Sequence, residues 1–341
     1  MTSLEKESIL APEMPGKGKE GPVKRRDFVI GASATLSLFP AGLQGVARER
    51  GPGGLERRAL GKTGEKLSIV GFGGIVVTKA TAEQASARVR AAIEAGVNYF
   101  DVAPSYGNAE DMLGPALEPH RKGVFLACKT QGRTREAATA ELESSLRKMR
   151  TDHFDLYQHH AVTKRRDVEA ILGPGGAMEA FEAAKRAGKV RFVGFSAHSV
   201  EAATALMDGY AFDTILFPVN YATWHAGGFG PQVLAKAQEK GMGILCLKAM
   251  AKGPWPEGST KRYAKCWYEP LDTPEDAAMG LRFTLSHPVT AALPPGDETL
   301  FAMALELAAG FQPLAPAEIE AIKKRGLAAA PLFRYPSPDH S

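Results

Sequence analysis

The sequence predicts a single-domain α/β protein, a (β/α)8 barrel, on three observations. Short apolar runs rich in β-branched residues alternate with amphipathic helical patterns from Leu55 onward. Eight such units fit into about 260 residues, the usual size of one closed parallel barrel. No linker and no internal repeat divides them.

The elements follow in order. A first strand is expected over 67–73, and a helix over 81–95 with Thr81 as N-cap and Gly96 just past its end. A second strand over 99–103 and a third over 124–129 precede a long helix over 134–149. The fourth strand covers 154–160. The fifth covers 190–196, after a helix that ends at Gly188. The sixth, seventh and eighth cover 214–220, 243–247 and 290–293. Further helical patterns lie at 199–208, 230–240, 274–286, 298–309 and 316–326. A doubly wound sheet would normally carry a three-glycine turn after its first strand. Gly71-Phe72-Gly73-Gly74 lacks the third glycine of that spacing.

Composition excludes other classes. Of 341 residues, 44% are hydrophobic and 23% charged, which fits a globular core rather than disorder or a coiled coil. A net charge of +4, without a basic face after the first 60 residues, gives no case for nucleic acid. Three scattered cysteines, Cys128, Cys246 and Cys266, make neither a disulfide framework nor a metal site. No apolar run approaches the roughly 20 residues of a membrane span.

The N-terminus reads as an address. Lys24-Arg25-Arg26-Asp27 precedes a weakly apolar stretch over 28–43, followed by small residues at Gly45-Val46-Ala47. A twin-arginine pair in that order is the pattern of a Tat export signal. The expected organisation is a Tat-type signal and leader over 1–50, a barrel over 51–330 and a C-terminal tail over 331–341. Residence in the periplasm, or export otherwise by the Tat machinery, follows. That route carries folded chains, which suits a protein holding a cofactor.

Barrel active sites form at the C-terminal ends of the strands. Asp101 ends the second strand and Tyr106 lies in the next loop. Lys129 ends the third, His159 and His160 the fourth, and Ser196 and His198 the fifth. A tyrosine with a pKa near 10 is a poor acid at neutral pH. A neighbouring ammonium favours its phenolate, and an aspartate holds that ammonium charged and in place. A histidine can orient a substrate oxygen. Together these groups can protonate a carbonyl oxygen as hydride reaches its carbon. No metal site is expected.

These residues carry a resemblance. The stretch from Phe100 to Gly107, with Asp101 and Tyr106, resembles the aspartate-to-tyrosine motif of the aldo-keto reductase family. Lys129-Thr130 is similar to its lysine, and the stretch from Phe154 to His160 resembles its fourth-strand segment. The stretch from Gly188 to Ser196 resembles the approach to its nicotinamide-binding serine. The resemblance covers about 55–307. It implies reduction of an aldehyde, ketone or sugar carbonyl, or the reverse oxidation, with NAD(P)(H) lying across the barrel mouth. Tyr106 would be the general acid, Lys129 its partner, Asp101 the partner of Lys129, and His160 the orienting group.

The chain departs from the pattern in the cofactor region. Ala197 follows Ser196 where the family commonly has Asn, and His198 comes next. Pro218 takes the place of the carboxamide-binding Gln, with Asn220 nearby. Lys248 follows the seventh strand where many members stack an aromatic ring. After the eighth strand come Gly296, Asp297 and Glu298. Two carboxylates there should repel a 2′-phosphate, which favours NADH over NADPH. Ser196, His198, Asn220, Lys248, Gly296 and Asp297 are therefore the expected cofactor contacts. The 251–272 segment, with Trp255, Tyr263, Trp267 and Tyr268, reads as a long loop over the mouth or as a surface-packed loop. Two other functions stay open: a nicotinamide-binding protein without turnover, and a metal-dependent barrel hydrolase using His159, His160, His198 and Asp101.

Overall fold

Before the barrel begins, Arg57–Ala59 (β1) and Lys66–Ser68 (β2) pair antiparallel as a hairpin. The computed structural model describes residues 49–336. The barrel strands are Phe72–Gly73 (β3), Tyr99–Asp101 (β4), Phe125–Thr130 (β5), Phe154–Val162 (β6), Val190–Ala197 (β7), Thr214–Pro218 (β8) and Gly243–Leu247 (β9). An excursion with Ala251–Gly253 (β10) and Glu269–Pro270 (β11) intervenes before the last barrel strand, Ala291–Leu293 (β12). All eight barrel strands are parallel, each beside the next in the chain. The ring is closed by Gly71 N–H donating to the Ala292 carbonyl at 3.0 Å and Ala292 N–H to that of Ile69 at 2.9 Å.

Helices cover the outside: Ala82–Glu94 (α1), Ala109–Leu117 (α2), Arg135–Lys148 (α3), Arg165–Leu172 (α4), Ala177–Arg186 (α5), Val200–Gly209 (α6), Tyr221–His225 (α7), Pro231–Glu239 (α8), Pro274–Leu285 (α9), Glu298–Ala309 (α10) and Pro316–Leu327 (α11). Their starts are written in the sequence. The Thr81 hydroxyl accepts from Gln84 N–H while the Gln84 side chain accepts from Thr81 N–H, a reciprocal cap on α1. The Thr134, Ser199 and Thr273 hydroxyls cap α3, α6 and α9 by accepting from Ala137, Ala202 and Asp276 N–H, without the reciprocal bond. Loss of one such cap costs about 1 kcal/mol.

Strand alternation sorts the side chains into two cores. Tyr99, Phe125, Ala127, Leu156, Leu216, Leu245, Ala291 and Leu293 fill the barrel interior, and Leu60 and Leu67 of the hairpin region close its lower end. Phe100, Leu126, Cys128, Tyr157, Val193 and Phe195 point outward into the layer beneath the helices. Parity then fixes the polar positions. Asp101 shares the inward face with Tyr99, Lys129 with Ala127, and Gln158 and His160 with Leu156. His159 faces outward, fully buried, its ring stacked on Phe181 of α5 at 3.9 Å.

Several elements differ from expectation. The continuous apolar run over 67–73 is two elements: Leu67 and Ser68 belong to the hairpin, and only Phe72 and Gly73 pair with β4. Hydrophobicity alone does not mark that break. Gly71 does, because a Cβ there would meet the Tyr99 ring at 2.3 Å. The sixth strand stops at Pro218, and Asn220 leaves it to cap α7. The helices α2 and α4 and the short helix α7 have no counterpart among the expected elements. The 251–272 segment is pinned at its base by the β10–β11 pairing.

The expected tail begins as docked structure: Tyr335 N–H donates to the Gly227 carbonyl at 2.8 Å, and the Phe333 ring stacks on Phe229 at 5.3 Å. The twin-arginine reading falls on residues outside those described. Among the described residues no helix is long and apolar enough to cross a membrane.

Candidate active site

Three successive strands deliver the expected acid–base groups to one place. Lys129 Nζ donates to Asp101 Oδ2, to the Tyr106 hydroxyl at 3.2 Å and to the Val102 carbonyl at 3.2 Å. Both Lys129 and Asp101 are essentially inaccessible to water. The His160 ring stands edge-on to Tyr106 at 5.6 Å, and Ser105 Oγ lies 3.2 Å from His160 Nδ1. Asp101, Tyr106, Lys129 and His160 therefore converge.

Burial governs the electrostatics here. It opposes the Lys129 ammonium, but Asp101 and Tyr106 outweigh it and hold the lysine charged far above neutral pH. Burial raises the Asp101 carboxyl, while Lys129, Gln158 and Tyr99 pull it back. Tyr106 departs from expectation. Burial raises its phenol above the ordinary value, and the opposing pull of Lys129 is the smaller effect. The phenol thus holds its proton at rest, and the ammonium acts on the phenolate once the proton has left. Burial, with Lys129 adding to it, lowers His160 to about 3, so the imidazole is neutral at physiological pH.

Two contributors escaped the sequence reading. Gln158 Nε2 donates to Asp101 Oδ1 at 3.1 Å, and the Tyr99 hydroxyl reaches the same oxygen at 3.4 Å. Gln158 stands two residues before His160 on β6, so alternation alone placed it on the same face.

The expected cofactor contacts lie at the ends of β7, β8, β9 and β12. Ser196 Oγ accepts from Ala161 N–H at 2.7 Å, which pins the irregular end of β6 where Ala161 has φ 52°. Its hydroxyl proton remains available to donate. Asn220 Oδ1 caps α7 through Thr223 N–H, while Nδ2 is buried without a partner. A buried amide donor left unsatisfied costs about 1–3 kcal/mol. A carboxamide oxygen would satisfy it, so Asn220 fits the role that Pro218 cannot fill. His198 is lowered to about 4 by burial, with Lys248 adding to it, and its ring packs at 5.4 Å from Phe333.

Lys248 follows β9 with φ 70°, an uncommon left-handed backbone for a residue other than glycine. Its Nζ lies 5.1 Å from the Trp267 ring centre and 4.6 Å from that of Tyr268, and burial lowers its pKa to about 8. Such cation–π contacts contribute about 0.5–2 kcal/mol. Lys248 is only partly buried, so water and the two rings share the solvation of its ammonium.

The loop after β12 corrects the cofactor argument. Asp297 is the N-cap of α10, accepting from Thr299 N–H at 3.0 Å and Leu300 N–H at 3.3 Å. Glu298 is paired with Arg88 at 3.0 Å and Lys265 at 2.8 Å. The carboxylates that were expected to repel a phosphate are engaged by a helix terminus and two cations, so the charge basis for preferring NADH falls. Gly296 is explained by packing, since a Cβ there would meet Ile75 Cγ2 at 2.3 Å. Among the described residues no three His, Cys, Asp or Glu side chains group so as to hold a metal ion. The metal-hydrolase alternative thus lacks a ligand set there.

A closed parallel barrel with a buried carboxylate–ammonium–phenol chain and a neutral histidine at its mouth defines a class of acid–base barrel enzymes. Residues 70–284 match the profile of the aldo/keto reductase family, and the chain belongs to that family. It is 29% identical to L-galactose dehydrogenase of Arabidopsis thaliana over 58% of this chain and 66% of that protein. It is also 29% identical to aldo-keto reductase YhdN of Bacillus subtilis, over 49% of this chain and 54% of that one. The matched part thus spans about half to two thirds of these relatives. The holo structure of aldo-keto reductase AKR11C1 from Bacillus halodurans superposes with a TM-score of 0.64 at 23% identity, covering 82% of this chain and 99% of that one. It shares the barrel fold.

Proposed function

We propose that the protein is an NAD(P)(H)-dependent oxidoreductase that interconverts a small carbonyl compound and its alcohol. The observation that carries this reading is Lys129 Nζ bridging Asp101 and the Tyr106 hydroxyl beside a neutral His160. A nicotinamide cofactor bound there would supply or accept the hydride. Ser196 and Asn220 would hold its carboxamide, with Lys248 and the β12 loop further along the same arc of strand ends. His160 donates a hydrogen bond to the substrate oxygen without bringing a charge. Tyr106 gives its proton to that oxygen as negative charge develops there, and Lys129 receives the phenolate at hydrogen-bond distance. Asp101 keeps Lys129 protonated, and solvent returns a proton to Tyr106 after the alcohol leaves.

The name of the Arabidopsis relative supports a sugar among the substrates to try. Either dinucleotide fits the charge balance around Glu298, so the reading takes NAD(P)(H) without a preference. The leader with Arg25 and Arg26 supports export of the folded, loaded chain by the Tat route. Recovery of the chain from the periplasm with bound nicotinamide would support that step, and recovery without any would remove it.

The test joins cofactor binding and turnover. The wild type should bind NADH or NADPH in a fluorescence titration and reduce a panel of aldehydes and aldoses. Tyr106→Phe should bind the cofactor with unchanged affinity and lose about 10²–10⁴ in turnover. Binding without turnover in the wild type would favour a nicotinamide-holding protein, the reading that Ala197 and Pro218 support. Binding of neither cofactor would overturn the proposal.

A further inference from the structure

The end of β6 carries a bulge beside the acid–base groups. His159 pairs with Phe195 of β7 and Val162 with Ala197, so two residues, His160 and Ala161, stand opposite the single Ser196. The extra residue changes the alternation. Leu156, Gln158 and His160 face the barrel interior, and plain parity would turn Val162 inward as well. Val162 packs instead into the outer core beneath the helices. Ala161 absorbs the turn with φ 52°, an uncommon conformation for a residue that has a Cβ.

The peptide unit that joins His160 to Ala161 thus leaves the ladder, and side chains take both of its polar groups. The Ala161 N–H donates to Ser196 Oγ at 2.7 Å. The His160 carbonyl accepts from Arg133 Nη2, also at 2.7 Å. Arg133 is delivered by the loop after β5, which has little freedom. Glu141 of α3 accepts from Thr130 Oγ1 at 2.7 Å and from Gln131 N–H at 2.9 Å. A Cβ on Gly132 would meet the Ala138 nitrogen at 2.6 Å, so only glycine lets the loop lie that close to α3. The Arg133 carbonyl accepts from Ala177 N–H at 3.0 Å, at the start of α5. The Arg133 side chain is partly buried, and its Nη1 is shut off from water without a hydrogen-bond partner. An unsatisfied buried donor is costly, and the bond from Nη2 to the His160 carbonyl offsets that cost.

We propose that Arg133 is a positioning residue, which clamps the 160–161 peptide plane from one side while Ser196 holds it from the other, and so fixes where the His160 imidazole stands beside Tyr106. The peptide is planar and moves as one body, so a plane held at both polar ends turns only by breaking one of the two bonds. Release of the carbonyl lets the His160 Cα, and the ring it carries, swing away from the substrate oxygen. The charge of Arg133 also adds, after burial, Lys129 and His198, to keeping the imidazole neutral. The consequence for turnover rests on the oxidoreductase reading above, whereas the clamp itself stands without it.

Two readouts on the full chain test the assignment. Amide hydrogen exchange of the segment around Ala161, without cofactor, reads the clamp. Steady-state kinetics on the aldehyde that the wild type reduces fastest, with fluorescence titration by NADH and NADPH, read its consequence. Arg133→Met should speed exchange at Ala161 about tenfold. It should lower kcat about tenfold to a hundredfold and leave dinucleotide affinity unchanged. Arg133→Lys keeps the charge and a donor, and should recover part of both losses. Thermal melting of both variants establishes that they fold.

A folded Arg133→Met with wild-type exchange at Ala161 would overturn the clamp. Faster exchange with unchanged kcat in an active enzyme would overturn the positioning role. An equal loss of kcat and dinucleotide affinity, without recovery in Arg133→Lys, would do the same, because it marks general disruption of the mouth. If the wild type binds neither dinucleotide and reduces nothing, the oxidoreductase reading falls, and exchange at Ala161 alone decides whether Arg133 holds the His160 peptide.

Discussion

Two lysines stand at the mouth of this barrel, one buried and one partly buried, and they are solved in opposite ways. Lys129, at the end of β5, has a carboxylate, a phenol and a carbonyl to donate to. Lys248, after β9, has two aromatic faces. Burial presses on both, yet the pKa of the first is raised and that of the second is lowered to about 8. The difference teaches how the site divides its work. The β4–β6 side is complete in itself, with its charges paired before any substrate arrives. The β7–β12 side presents the Asn220 amide Nδ2, buried without a partner, and Lys248, which has ring faces and no ion pair among the described residues.

The sharpest way to break this comparison is to remove each charge in turn. Lys129→Met leaves Asp101 buried and uncompensated, and breaking a buried pair in that way costs about 3–5 kcal/mol. Lys248→Met removes a charge that the folded apo protein holds at a loss. Its melting temperature should equal or exceed that of the wild type. Chemical or thermal denaturation of both variants, without cofactor, reads the two signs. Destabilisation of similar size in both would mean that the aromatic cage is as good a partner as Asp101.

Alkaline titration sharpens the same point. The folded pKa of Lys129 lies above its unfolded value near 10.4, so its contribution is full below that pH and is lost as pH rises through the folded value. The folded pKa of Lys248 lies below its unfolded value, so the unfolded chain binds the extra proton between about pH 8 and 10. Over that window the wild type should gain stability relative to Lys248→Met, by up to about 1.4 kcal/mol per pH unit. His198 stays neutral throughout this range. Denaturant midpoints for the wild type and Lys248→Met at pH 7.5 and 9.5 decide it. A constant difference between the two proteins would contradict the lowered pKa of Lys248.

Gln158 tests how complete the paired side is. Gln158→Leu removes the 3.1 Å donor to Asp101 Oδ1 and leaves that oxygen the longer Tyr99 contact. The expected cost is about 1–3 kcal/mol in stability. Asp101 should also take up a proton more readily, so the acid limb of the kcat/KM profile moves to higher pH while cofactor affinity is unchanged. A stability loss without movement of that limb would make Gln158 a packing residue only.

The paired side was also the side legible in the sequence. Asp101, Lys129 and His160 sit at strand ends, and strand parity turns each one inward. Their one-dimensional spacing therefore carried their convergence. Gln158 was legible by the same rule and was passed over because it has no titratable group. The open side was harder to read because its meaning depends on partners distant in sequence. Glu298 looked like a bare carboxylate until Arg88 arrived from α1 and Lys265 from the 251–272 segment. The rings around Lys248 come from a hairpin excursion whose pairing no periodicity announced. The division of 67–73 between hairpin and barrel follows from Gly71 meeting Tyr99, a contact that exists only once the barrel closes.

The smallest expected effect concerns that same Glu298. Its two cations leave the loop after β12 with no excess of negative charge for a 2′-phosphate to meet. Lys265→Ala removes one of them, together with a 3.1 Å bond to the Val76 carbonyl. Glu298 keeps Arg88 alone, and the loop gains an uncompensated negative charge. NADPH should then weaken relative to NADH. Glu298→Gln works in the opposite direction, because it frees both cations toward the loop. Glu298 is 40% exposed, so water and salt screen each change, and about 1 kcal/mol or less is expected, a few-fold in the ratio of dissociation constants. Fluorescence titrations of both variants with both dinucleotides at low and high salt read the sign. Opposite shifts that shrink with salt would place the 2′ position of the ribose beside Glu298. Equal shifts for both cofactors would place it elsewhere on the β12 side.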